Sequence, residues 1–75
     1  MDLSRIRVLV GLFQRQANDL FKIGMEKLKE CGLFGDGPLN DKLLQEANDI
    51  LFVSKEYRDK VIQLLKESQS IVEAL

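Results

Sequence analysis

Gly32-Leu33-Phe34-Gly35-Asp36-Gly37-Pro38 gathers three of the five glycines and the sole proline of a 75-residue chain. No other stretch holds such a cluster of chain breakers, so the polypeptide turns here and runs without interruption on either side. Gly32 stands where a left-handed residue ends a helix, with Leu33 placed to touch Leu28 in a Schellman arrangement. Lys27 and Lys29 just before it suit the negative end of a helix dipole. Beyond the turn, Pro38 fits a first helical turn, and Asn40 or Asp41 is the alternative cap.

Toward the C-terminus, apolar or small residues fall at Leu43, Ala47, Ile50, Ser54, Tyr57, Val61, Leu64, Ser68, Ile71 and Leu75. The steps alternate between four and three, which is a heptad seam. Leu44, Leu51, Leu65 and Val72 widen it along one flank, with Arg58 the only charged member of that row, so the stripe is broader than a two-stranded coiled coil needs. Neither Gly nor Pro occurs after Pro38. One helix of about 35 residues, roughly 50 Å long, is predicted, and Ser54 is the residue able to cap a fresh start within it.

Toward the N-terminus, Leu3, Ile6, Val10, Phe13, Ala17, Leu20, Gly24, Lys27 or Leu28, and Cys31 repeat the scheme. Gly11 and Gly24 each weaken a helix by about 0.8–1 kcal/mol relative to Ala. The predicted fold is therefore all-α: one domain over residues 1–75, an antiparallel two-helix hairpin of coiled-coil character. Its helices cover about 2–31 and about 39–75, with the turn at 32–38. A register opposing Gly24 with Ile50, Leu20 with Ser54, Ala17 with Tyr57 and Phe13 with Val61 sets small against large at each level, as close packing favours.

Composition narrows the chemistry. The chain is 45% hydrophobic and 31% charged, a balance that folds rather than stays disordered. It contains no His, which removes the commonest general base, the commonest zinc ligand and every Ser-His or Cys-His nucleophile pair. We expect no enzyme activity, no catalytic residue, no cofactor and no metal. The lone Cys31 has no internal disulfide partner and suits a reducing, cytoplasmic setting. No apolar run approaches the ~20 residues that cross a bilayer. Residues 1–29 carry six basic and three acidic groups, and residues 30–75 carry five and nine. Opposite net charges favour pairing of the two helices and leave no strong field for a phosphate backbone, so nucleic acid is the least favoured partner.

The seams do not account for Phe52, on the back of the second helix, for Ile62, or for the pair Val8 and Leu12 on the first. Two helices by themselves do not cover a helix that is apolar all round at one level. Chains this short also struggle to bury enough surface for stability. Phe52, Ile62, Val8 and Leu12 are therefore the candidate partner-binding residues. The expected partner is a second copy, giving a four-helix bundle, or another helical protein.

Other motifs are explained by local structure. The three loop glycines follow no strand, and Asp36 opposes a phosphate, so they read as a turn. Asp36, Asn40 and Asp41 lack the spacing, central Gly and bidentate Glu of a calcium loop. Glu26 with Lys29 and Glu56 with Lys60 are spaced as surface ion pairs. Ala17-Asn18-Asp19-Leu20-Phe21 and Ala47-Asn48-Asp49-Ile50-Leu51 resemble one another, and Ala17 through Gly24 is similar to part of a tetratricopeptide repeat without the rest of its signature. Leu44-Gln45-Glu46-Ala47-Asn48 resembles the Ser-Gln-Glu-Leu-Asp marker of small helical phosphatases of the sporulation phosphorelay, but lacks its Ser and Asp. In length, acidity and two-helix plan the whole chain resembles the small needle subunits and co-chaperones of type III secretion. That likeness implies a role in assembly. The function expected is a small interaction module, an adaptor or chaperone-like protein covering a partner's apolar helix. The alternatives are a self-assembling structural subunit, as in a secretion-type assembly, and, last, a hairpin dimer that binds nucleic acid.

Overall fold

Asp2 and Asn40 start the two helices. Each holds an extended backbone and turns its side chain back on the first turn: Asp2 Oδ1 accepts from Arg5 N at 2.8 Å, and Asn40 Oδ1 accepts from Leu43 N at 3.1 Å. These bonds satisfy amides that have no partner within a helix. In the computed structural model, which describes residues 2–33, 35 and 37–75, α1 spans Leu3–Glu30 and α2 spans Asp41–Ala74. Pro38 lies before α2 rather than in its first turn, because Asn40 takes the cap. The turn positions Phe34 and Asp36 lie outside the described residues, as does Met1.

Gly32 closes α1 with φ +90°, the left-handed conformation that L side chains resist by roughly 1–2 kcal/mol. An added Cβ there would also sit 2.9 Å from the Pro38 carbonyl oxygen. Gly32 N donates to Lys29 O at 3.5 Å, and the Cys31 thiol donates to Leu28 O at 3.0 Å. Asn40 N donates to Cys31 O at 2.8 Å and ties the two helix ends together across the turn.

The α2 helix is unbroken at Ser54. That residue is buried and donates its hydroxyl to Ala17 O, 2.7 Å away on α1. This bond sets the register and corrects the one expected from the sequence: Ser54 faces Ala17, not Leu20. Gly24 lies against Leu51 and the Ala47 carbonyl rather than Ile50, and the Phe13 ring meets Tyr57 at 5.8 Å rather than Val61. Small therefore meets small. Ala17 and Gly24 on one helix, and Ala47 and Ser54 on the other, each lie seven residues apart, so every second turn brings two short side chains together. With nothing bulky between them, the backbones approach until a Ser hydroxyl reaches across, and the larger Leu20, Ile50 and Tyr57 pack to the sides.

The resulting core is a thin line: Ile6, Ala17, Gly24, Cys31, Ala47, Ser54, Val61 and Leu64 are buried. The rod measures 58 × 15 × 15 Å. Its radius of gyration, 16.8 Å, exceeds the roughly 11 Å of a compact domain of this length.

Candidate interaction surface

Two helices side by side present two broad faces, and the side chains next to the seam decide what each face shows. On the first, α1 contributes Arg7, Gln14 and Phe21, and α2 contributes Leu51, Arg58, Leu65 and Val72, facing one another across the crevice between the helices. The Arg58 guanidinium lies 4.7 Å over the Phe21 ring and marks this side. On the second face, Lys60 Nζ stands 5.5 Å over Phe13 and 5.4 Å over Tyr57, and Lys27 Nζ pairs with Glu46 Oε2 at 3.3 Å.

Two grooves open along the first face. One, of about 420 Å³, is lined by Gln14, Ala17, Asn18, Arg58, Val61 and Ile62. The other, of about 320 Å³, lies toward the end remote from the turn and is lined by Leu3, Ile6, Arg7, Val10, Leu65, Ser68 and Val72. The reason lies in the heptad positions of α1. Near the turn that position is Gly24, and Leu51 folds in over it to within ordinary packing reach. Toward the other end the same position holds Val10 and then Leu3, which fill the crevice and leave Leu65 and Val72 50% and 56% exposed. The outcome is a channel of two successive grooves, the one remote from the turn mostly apolar, with Arg58 in the wall of the first and Arg7 in that of the second.

Of the four residues expected to bind a partner, all are between 50% and 69% exposed, but the fold does not bring them together. Ile62 lines the first face. Leu12 projects toward the second face, while Val8 and Phe52 lie on the outer edges of different helices, each pointing away from the other helix. Leu65, Val72 and Leu3 were legible only as seam or seam-widening residues. Their signal was the excess width of the stripe, which one facing helix does not cover.

Charge also divides by face. The first carries Arg7, Lys55 and Arg58 against Asp41. The second carries Asp19, Glu26, Glu30, Glu46, Asp49, Glu56 and Glu67 against Arg5, Lys27, Lys42 and Lys60. The surplus of base in α1 and of acid in α2 thus yields one interhelical ion pair among the described residues, Lys27 with Glu46, and otherwise leaves the first face with net positive and the second with net negative charge, the remaining charges lying on the outer edges.

Among the described residues, no group of three His, Cys, Asp or Glu side chains is placed to hold a metal ion, and every buried side-chain nitrogen or oxygen has a partner. No described helix is long and apolar enough to cross a membrane. No family model, curated protein or solved structure matches the chain.

Proposed function

We propose that this chain is a non-enzymatic helical interaction module whose working surface is the channel of the first face. The observation that carries the reading is the set of half-exposed apolar side chains, Ile62 in one groove and Leu65 and Val72 in the next, left open between two helices. A helix laid into such a channel, with apolar residues every three or four positions, buries its own stripe and the channel together. The occupant is a helical surface from another protein or from a second copy, which completes a four-helix bundle. With another protein as occupant the chain is an adaptor or chaperone-like cover for apolar helical surface, and with a second copy it is a self-assembling structural subunit.

The surface area supports this reading. The chain exposes 5761 Å², whereas a compact chain of the same mass exposes roughly 4,700 Å², an excess of roughly 1,000 Å². A standard interface covers about 800 Å² per partner. The test is a set of methyl spectra recorded along a dilution series and during titration with an amphipathic Leu-rich helical peptide. The Ile62, Leu65 and Val72 methyl signals move in at least one series. Invariance of all three in both series overturns the reading.

A further inference from the structure

We infer that the occupant of the first-face channel is the second face of another copy of this chain, so that hairpins stack front to back in an open series. The inference rests on the function proposed above and names its partner. Both halves of the contact are present on one molecule. The first face offers Ile62, Leu65 and Val72 with Arg7 and Arg58 beside them, and the second offers Leu12, Ile23 and Val53, also exposed, among carboxylates that outnumber its basic groups.

Charge decides the mode of contact. A two-fold pairing through the first face sets Arg7, Lys55 and Arg58, with only Asp41 to offset them, against a copy of the same positively charged face. A two-fold pairing through the second sets Asp49 and Glu56 among further carboxylates. Like charges so juxtaposed oppose association. Front-to-back stacking sets a face of net positive charge against one of net negative charge at each interface, and because the two patches differ, the contact does not close on itself as a two-fold one does. Area agrees with the same mode. A single two-fold contact covers one face and leaves the apolar residues of the other in water, whereas front-to-back stacking covers both.

The experiment is sedimentation velocity of the full chain and of two double variants. Leu65→Gln/Val72→Gln spoils the first face and Leu12→Gln/Val53→Gln spoils the second. Circular dichroism verifies the helix content of each. Should either lose helix, Arg7→Glu/Arg58→Glu or Asp49→Lys/Glu56→Lys replaces it on the same face.

The unaltered chain is expected to gain mass beyond a dimer as concentration rises and to lose it at high salt. Each variant alone stays at the 8.6 kDa monomer mass, and an equal mixture forms one-to-one complexes and nothing larger, since it holds one intact pair of faces. A dimer abolished by only one of the two variants establishes a two-fold contact and overturns the inference, as does an inert mixture. An unaltered chain that stays monomeric at every concentration also overturns it, yet leaves the proposed function standing if the peptide still shifts the channel methyl signals.

Discussion

Ser54 is a polar residue at the driest point of the rod, and its hydroxyl has a partner there only because Ala17 presents a backbone carbonyl at 2.7 Å. Ser54→Ala keeps the volume close and loses that bond, which costs about 0.5–1.5 kcal/mol. Ser54→Leu inserts bulk between two backbones in contact and costs about 1–3 kcal/mol or more. Urea denaturation of the two variants checks both the values and their order. The helical glycines make a second pair of tests. A Cβ at Gly11 meets nothing within 4 Å, whereas one at Gly24 lies 2.7 Å from Leu51 Cγ and Cδ2. Gly11→Ala is therefore expected to stabilise the chain by about 0.5–1 kcal/mol through helical preference alone. Gly24→Ala gains the same preference but pushes Leu51 away from the seat it occupies over Gly24, so it falls short of Gly11→Ala by about 1 kcal/mol. The midpoint difference between the two variants is the measurement, and equal midpoints contradict the packing described at Gly24.

Helix lengths and ends follow from local chemistry. The Asp2 and Asn40 side chains satisfy first-turn amides, and Gly32 supplies the positive φ that ends α1. Gly32 and Asn40 act on neighbours in sequence and were legible there, whereas the cap at Asp2 was not read: helix limits expected at about 2–31 and 39–75 are observed at Leu3–Glu30 and Asp41–Ala74. The register was not. Heptad periodicity states which side of each helix turns inward but not how far one slides along the other, and a slip of one turn keeps both stripes in contact. The Ser54 bond and the small pairs select among those slips. In a Cys31→Ser background, a Cys pair at positions 17 and 54 is expected to cross-link on mild oxidation, and a pair at 20 and 54 is not. Reversed yields under denaturant-free conditions refute the register.

At the scale of the whole molecule, the length of the rod sets its behaviour. A two-helix rod has a large perimeter for its volume, and its buried line is made mostly of small residues, so burial contributes little stability per residue. Association covers more apolar surface and binds only the folded form, which couples stability to protein concentration. The thermal midpoint is therefore expected to rise over a hundredfold increase in concentration, and to do so less for Leu65→Gln/Val72→Gln than for the unaltered chain. Calorimetry or circular dichroism at several concentrations checks this, and a midpoint independent of concentration for the unaltered chain weighs against self-association.

The one-dimensional order of residues determined that this chain is two helices joined by a glycine-rich turn, which residues lie along the seam, and that apolar surface is left over, since periodicity and capping act within a few positions along the chain. Where that surface gathers was decided only in three dimensions. Leu65 and Val72 stand open while Leu51, in the same row, is folded over Gly24, and Ile62, Leu12, Val8 and Phe52 point in different directions. The division of charge between the two faces belongs to the same level. Each depends on which residue of one helix lies opposite which residue of the other, and that pairing arises from contacts between Ala17, Gly24, Ala47 and Ser54 that are far apart in the sequence.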